Sequence, residues 1–404
     1  MTAHTAVRDA ATDAYPRIVA ALIRITGDWT LAEDCAQDAM TLALQRWPEE
    51  GVPGNPGGWL MTVARNRAID IARRASVERR KLEELAVLAP AEPVEEQEAE
   101  DIVDDRLRLI FTCCHPALAL EARVALTLRT ICAVPTADIA RAFLVTESTM
   151  TRRLTRAKTK IADARIPYRV PTGRALDERL PGVLAVLYLL FTRGYDPGGE
   201  PVFADEAIRL ARLLAELMPR EPEVRGLLAL FLLHHSRRAA RRDSDGNLLT
   251  LERQDRSAWD RAAIAEGVQI LTGTPSAGPY VLQARIAAGH ATARDAAGTD
   301  WAAIAGYYDE LAAQQPSPVV ELNRAVAHGF AHGPEAGLAL LAKARNGGAL
   351  DDYPLTIAAE AELTARQGNR ELAAALFRRA ADLTTTDIER RALLERANEN
   401  LENL

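Results

Sequence analysis

At 404 residues the chain exceeds what one ordinary hydrophobic core organises, so two or three domains are expected. Hydrophobic residues make up 48% and charged residues 26%, an ordinary soluble balance, and the longest apolar run, Val183–Phe191, is too short to span a membrane. The formal net charge of -7 argues against indiscriminate binding to nucleic acid. Ala, Leu, Arg and Glu recur while aromatics are only 5%, which favours helix over strand and predicts an all-α fold. The N-terminus, MTAHTAVRDAATDAY, lacks a basic stretch followed by an apolar core, so a cytoplasmic location is expected.

The first periodic segment runs from about Ala14 to Thr26, with Ile18, Val19, Leu22, Ile23 and Ile25 on one side. After the break at Gly27-Asp28-Trp29, Thr30-Leu31-Ala32-Glu33 has the form of a capping box opening a second helix to about Trp47. PEEGVPGN reads as a loop, and Asn55 is a suitable cap for a third helix with Pro56 at its first position, running through Arg74. From about Ser76 to Asp101 the composition turns acidic and loses its apolar face, which marks a linker with solvated carboxylates. Helical periodicity resumes from about Val103 to Ile131. A short helix from Thr136 to about Phe143 follows, with Thr136 as its expected cap.

Thr146 is placed to cap the next helix, on which Met150, Leu154, Ala157 and Ile161 form one apolar stripe. Within TESTMTRRLTRAKTKI, Arg152, Arg153, Arg156, Lys158 and Lys160 face Glu147 as the lone acid, a strongly basic helix in an acidic chain. Two helices joined by a tight turn, the second basic on its free face, describe a helix-turn-helix. Beyond Arg165–Arg174 the chain reads as helix to its end. Ile304, Tyr308 and Leu311 share a +4, +3 spacing with Gly337, Leu341 and Ala344 and with Ala373, Phe377 and Ala380. The lags of 33 and 36 residues lie close to the 34 of tetratricopeptide repeats; Gly368 falls where the turn of such a unit would lie, and Pro316 falls five residues after Leu311, where that repeat often ends.

No catalytic constellation is apparent, and no cofactor or metal is expected. Cys35, Cys113, Cys114 and Cys132 lack the doubled pair spacing of a zinc site and read as small buried thiols. His234-His235 reads as part of a helix face. Asp243–Asn247, DSDGN, has its glycine at the fourth position instead of the sixth, so it is a turn and not a calcium loop. Nucleic-acid binding remains. With a recognition helix entering the major groove, Ser148, Thr149, Thr151, Arg152 and Thr155 are placed to meet bases, and Arg153, Arg156 and Lys158 to hold phosphates.

The stretch LTLRTICAVPTADIARAFLVTESTMTRRLTRAKTKI resembles region 4 of bacterial sigma factors of the extracytoplasmic-function type. LAEDCAQDAM followed by GGWLMTVARNRAIDIARR resembles their region 2, and the two motifs in this order cover about the first 165 residues. The helical extension and RLIFTCCHPAL are similar to the subgroup that carries a tetratricopeptide-like C-terminal domain. The resemblance implies that Asp34, Gln37 and Asp38 dock on the clamp helices of the polymerase β′ subunit. It implies that Trp59, Arg65, Asn66, Asp70, Arg73 and Arg74 help melt and hold the -10 element, and that the Arg153–Ala157 run reads the -35 element. An aromatic, an amide and cations on one helix suit flipped bases and a single-stranded backbone. Leu144 departs from the family, which often has Gly there.

The implied layout is a region 2 domain over residues 1–80, an acidic linker over 81–102, region 4 over 103–168 and a regulatory helical domain over 169–404. The expected partners are core RNA polymerase and promoter DNA, with a protein partner possible for the C-terminal domain, and no membrane. The alternative is an operator-binding regulator using the same helix-turn-helix, with a ligand- or protein-sensing repeat domain. Such a regulator has no use for the region 2 motif. An enzyme with a DNA-binding appendage lacks a catalytic cluster.

Overall fold

Helix formation follows the Ala/Leu/Arg/Glu palette throughout. The computed structural model describes residues 3–85, 105–143, 145–195, 201–243, 249–275, 278–345, 350–384 and 387–402, and among them there is no extended strand. No helix among the described residues is long and apolar enough to cross a membrane. The chain forms two compact units, Met1–Glu206 and Ala207–Leu404.

The first unit begins with α1 (Ala3–Thr26), α2 (Trp29–Glu50) and α3 (Pro56–Leu85), which pack on one another pairwise. Ile18, Val19 and Leu22 of α1 meet small residues of α2 (Ala32, Ala36, Ala39, Ala43) and Leu60, Ala64 and Ala68 of α3, all fully buried. Small side chains on α2 allow a tight three-helix core. Ile25, expected on the buried side of α1, is instead 46% exposed at the end of the helix. Asn55 Oδ1 accepts from the Gly58 N–H at 2.9 Å, as a cap should, and Pro56 opens α3. The helix continues to Leu85, beyond the Arg74 expected from periodicity. The rest of the acidic stretch, residues 86–104, lies outside the described residues.

Four shorter helices follow: α4 (Asp105–Cys113), α5 (Leu120–Thr130), α6 (Thr136–Ala142) and α7 (Glu147–Asp163). The helical periodicity read over 103–131 is carried by two helices, α4 and α5, with a turn between them. Pro116 has no N–H to give, and the turn around it carries the His115 N–H to Thr112 O bond at 3.2 Å and the Leu118 N–H to His115 O bond at 3.0 Å. Thr136 is the first residue of α6 and not its cap; Pro135 precedes it and no side chain caps that end. Leu144, in the turn before α7, lies outside the described residues. α8 (Arg174–Tyr195) follows, packing on α4 and α5 with Leu180, Val183, Leu184, Leu187, Leu190 and Phe191 buried.

α9 (Pro201–Leu217) crosses from the first unit into the second. The second unit continues with α10 (Pro222–His235), α11 (Arg261–Thr272), α12 (Pro279–Thr292), α13 (Trp301–Gln314), α14 (Pro318–His332), α15 (Pro334–Arg345), α16 (Pro354–Arg366), α17 (Arg370–Leu383) and α18 (Asp387–Glu402). From α10 onward each helix packs on its successor, the serial arrangement of a helical-repeat stack. The +4, +3 triplets fall at equivalent places. Ile304 and Leu311 anchor one core cluster with Tyr308 against it, Leu341 anchors the next with Ala344 against it, and Phe377 anchors a third. Gly368, with φ at +90°, makes the turn from α16 to α17. Pro316 lies in the turn between α13 and α14, inside a hairpin. Of DSDGN only Asp243 is among the described residues.

Candidate nucleic-acid interface

α7 is built as the sequence pattern requires. The Thr146 hydroxyl accepts from the Thr149 N–H at 3.3 Å, fixing the first turn. Met150, Leu154, Ala157 and Ile161 are buried along one side, where α7 packs on α5 and α6. The opposite side therefore faces outward. Ser148, Thr151, Arg152, Thr155 and Arg156 are exposed, while Thr149 is half-buried. Thr151 Oγ1 donates to Glu147 O at 2.9 Å and Thr155 Oγ1 to Thr151 O at 3.0 Å. Their hydroxyl hydrogens are thus turned into the helix, and their oxygens present lone pairs outward. Four of the five residues expected to meet bases are thus exposed, while the Thr149 hydroxyl lies 2.8 Å from that of Thr146.

Two of the expected phosphate-holding cations are engaged elsewhere. The Arg153 guanidinium lies 5.7 Å from the centroid of the Phe143 ring. Lys158, with a side chain only 19% exposed, pairs with Glu33 Oε2 of α2. Glu33 is itself buried, and its other oxygen accepts from Trp29 Nε1 at 3.0 Å. Both carboxylate oxygens are therefore held, which is what a buried charge requires. This corrects the capping-box reading: Asp28, not Thr30, caps α2, accepting from the Leu31 N–H at 3.0 Å.

Around that ion pair a cavity of about 790 Å³ opens between α1, α2 and α7, with Trp29, Thr155, Lys158 and Tyr168 among its walls. The Tyr168 hydroxyl lies 3.0 Å from Ala20 O and 3.2 Å from Asp105 O, and Arg24 Nε donates to Asp105 Oδ2 at 3.1 Å. The first three helices and the helix-turn-helix are thereby tied within one unit. Neither Arg24 nor Tyr168 stood out in the sequence, and Glu33 and Trp29 were read there only as parts of a capping box and a helix break. The Trp29/Glu33 spacing of one helical turn was the available signal.

The remaining expected site residues lie on α2 and α3. Asp34, Gln37 and Asp38 are exposed on neighbouring turns of α2, and Asp38 Oδ2 receives Arg67 Nε of α3 at 3.1 Å. Arg65, Asn66, Asp70, Arg73 and Arg74 are exposed on α3. Trp59 is half-buried, edge-to-face with Trp47 at 5.5 Å between ring centroids, so part of its area belongs to the core. Asp38 and Arg67 link α2 to α3, and Thr155 of α7 lines the cavity it shares with Trp29 and Thr30 of α2.

All four cysteines are buried. Burial pushes the Cys113 thiol well up and the Cys114 thiol to about 11, which keeps both protonated. Among the described residues no group of His, Cys, Asp and Glu is placed to hold a metal ion.

Comparison with known proteins follows the same division. Residues 11–77 match the family model of sigma-70 region 2, and residues 108–161 match that of sigma-70 region 4. Residues 179–274 match a family of unknown function (DUF6596). An uncharacterized protein of Rhizobium meliloti (strain 1021) is 44% identical over 341 residues, covering 81% of this chain and 80% of that protein.

Proposed function

The chain belongs to the extracytoplasmic-function-like sigma factors that carry a C-terminal extension, and from that premise we propose which surfaces perform each task and what the extension does. As an RNA polymerase sigma factor it binds core polymerase and promoter DNA. In our reading Asp34, Gln37 and Asp38 meet the β′ clamp helices. Trp59, Arg65, Asn66, Asp70, Arg73 and Arg74 hold the melted -10 element. Ser148, Thr149, Thr151, Arg152 and Thr155 read the -35 element and Arg156 holds its phosphates, with Arg153 and Lys158 behind them. The observation that carries this assignment is the outward face of α7, with its polar and cationic side chains opposite a fully packed stripe.

The two DNA elements are centred about 25 base pairs apart, roughly 85 Å along B-DNA at about 3.4 Å per pair. A compact unit of this length has a radius of gyration of about 17 Å. The closed arrangement, with Lys158 on Glu33, therefore touches one element at a time, and binding both requires the α1–α3 body and the helix-turn-helix to part. An acidic chain with one basic face binds duplex weakly by itself, so promoter contact waits for polymerase. The C-terminal helical stack regulates the sigma part or recruits a protein partner, because serial helical hairpins supply an extended surface.

The test pairs two measurements on the full chain. Arg152→Ala with Arg156→Ala should abolish promoter-dependent transcription while core polymerase is still bound. Unchanged transcription from the double variant would remove α7 from the assignment. Failure of the unaltered chain to bind core would instead favour the operator-binding regulator.

A further inference from the structure

α8 lies beyond residues 108–161 matched by region 4, and from residue 179 it belongs to the match of unknown function. Its apolar side nevertheless serves the promoter-reading domain, since it packs on α4 and α5. At its first turns the Arg179 guanidinium lies 5.6 Å from the Phe111 ring centroid and donates to the Phe111 carbonyl. At its last turn Arg193 lies 5.4 Å from the centroid of Phe143. Phe143 is the residue that ends α6, immediately before the turn into α7. The same ring carries Arg153 of α7 at 5.7 Å.

One aromatic ring at the turn thus gathers a cation from the recognition helix and a cation from the extension. Both guanidiniums are within the roughly 6 Å over which the ring quadrupole attracts a cation. Arg153 is drawn along the helix toward the turn, and its neighbour Arg152 is left facing outward. We infer that Arg193, in the extension, is a positioning residue for -35 recognition: through Phe143 it fixes the turn and the seat of Arg153, and so sets the angle at which α7 presents its reading face. The extension therefore acts on promoter choice through a helix built into the reading domain, in addition to whatever its helical stack binds. The inference rests on α7 as the -35 reader.

The experiment uses the full-length chain with core polymerase and a template library randomised at both promoter elements, read by sequencing the transcripts. The preference at each element is a ratio within one sample, so it does not move with the fraction of folded protein. Arg193→Ala should reduce the preference between the best and the scrambled -35 sequence by roughly two- to fivefold, the worth of one exposed cation–ring contact, and leave the -10 preference unchanged. Arg193→Lys should keep most of the -35 preference. Phe143→Leu, which removes both contacts, should reduce it further. An unchanged -35 preference in Arg193→Ala and Phe143→Leu overturns the inference, as does an equal loss at both elements, which marks a general structural defect. If the unaltered chain yields no selected transcripts at all, the sigma-factor assignment of α7 falls, and this inference with it.

Discussion

Lys158 of α7 and Glu33 of α2 form an ion pair across 125 residues of sequence, with Trp29 Nε1 on the second carboxylate oxygen. The pair joins the helix proposed to read the -35 element to the helix proposed to dock on polymerase. Its two charges are largely removed from water, at 19% and 9% side-chain exposure.

Such a pair is stabilising only relative to its broken forms. Lys158→Met leaves a buried carboxylate with Trp29 alone, and should cost about 2–4 kcal/mol, somewhat below the loss for a fully buried pair. The double variant Lys158→Met with Glu33→Met removes both charges and should recover most of that loss. Thermal unfolding of the single and double variants measures the coupling. A single variant as stable as the unaltered chain would mean that the pair is solvated and that α7 is not held against α2.

The contrast between Thr146 and Glu33 shows what the sequence makes legible. Thr146, the apolar stripe of α7 and the Asn55-Pro56 start of α3 are local, and local rules of capping and periodicity found them. Glu33 has a partner 125 residues away, so the local capping-box rule claimed it instead. Pro116 interrupts a stretch whose apolar periodicity runs on from Val103 to Ile131, so the break between α4 and α5 was not visible in the periodicity. The role of α8 was hidden for a third reason. Tyr168 sits in a Pro-rich stretch that looks like a linker, yet its hydroxyl reaches Ala20 and Asp105, and the helix after it packs on α4 and α5. In the C-terminal stack the +4, +3 triplets were legible because each faces its own core cluster. Which small residue is small for packing reasons was not legible.

Gly337 is such a residue. A Cβ there would stand 2.7 Å from the Gly329 Cα, 2.8 Å from Ala325 O and 2.9 Å from Leu363 Cδ1, so two of its three neighbours are backbone atoms that cannot swing aside. α14 and α15 must separate to admit a methyl group. Gly337→Ala should therefore destabilise the second unit by about 1–3 kcal/mol, overriding the gain of roughly 1 kcal/mol in helix propensity. Gly306, on the exposed side of α13, has nothing within 4 Å of its would-be Cβ. The same substitution there should stabilise by about 0.5–1 kcal/mol. Melting temperatures of the two variants should move in opposite directions, and a shift of the same sign would refute the close approach at Gly337.

Acid should weaken the second unit through two histidines. Burial, reinforced by Arg237 and Arg241 beside His234 and by Arg237 and Arg256 beside His290, lowers these imidazoles to about 3 and about 4. The unfolded chain takes up protons at these sites near pH 6.5, before the folded chain does. The stabilisation is complete above about pH 6.5 and is lost as the pH falls from there to about 4 for His290 and about 3 for His234, by at most a few kcal/mol because both rings keep some solvent contact. His290 stands edge-to-face with Trp301 at 5.1 Å, and its Nδ1 is buried without a hydrogen-bond partner among the described residues. Phe at this position keeps the ring contact and removes the titration. His290→Phe should hold its melting temperature at pH 7.5 and lose less than the unaltered chain at pH 5. Parallel curves for the two proteins would show that His290 is not a source of acid sensitivity.

Salt dependence separates the cations of α7 by role. Each phosphate neutralised on B-DNA adds about 0.9 to the slope of log affinity against log salt. Arg156 is exposed on the outward face, with its Nε donating to Arg152 O at 3.3 Å. Arg156→Ala should lower the slope of holoenzyme binding to promoter duplex by about 0.9 while leaving the order of preferred sequences unchanged. Arg152→Ala should do the reverse, costing about 1–3 kcal/mol on the preferred sequence and flattening discrimination at one or two -35 positions. Lys158 is sequestered by Glu33 in the closed unit, so its slope contribution appears only if the pair opens on the promoter. A full unit of slope lost in Lys158→Met holoenzyme would show that it does, and no change would leave Lys158 as a latch with no part in DNA contact.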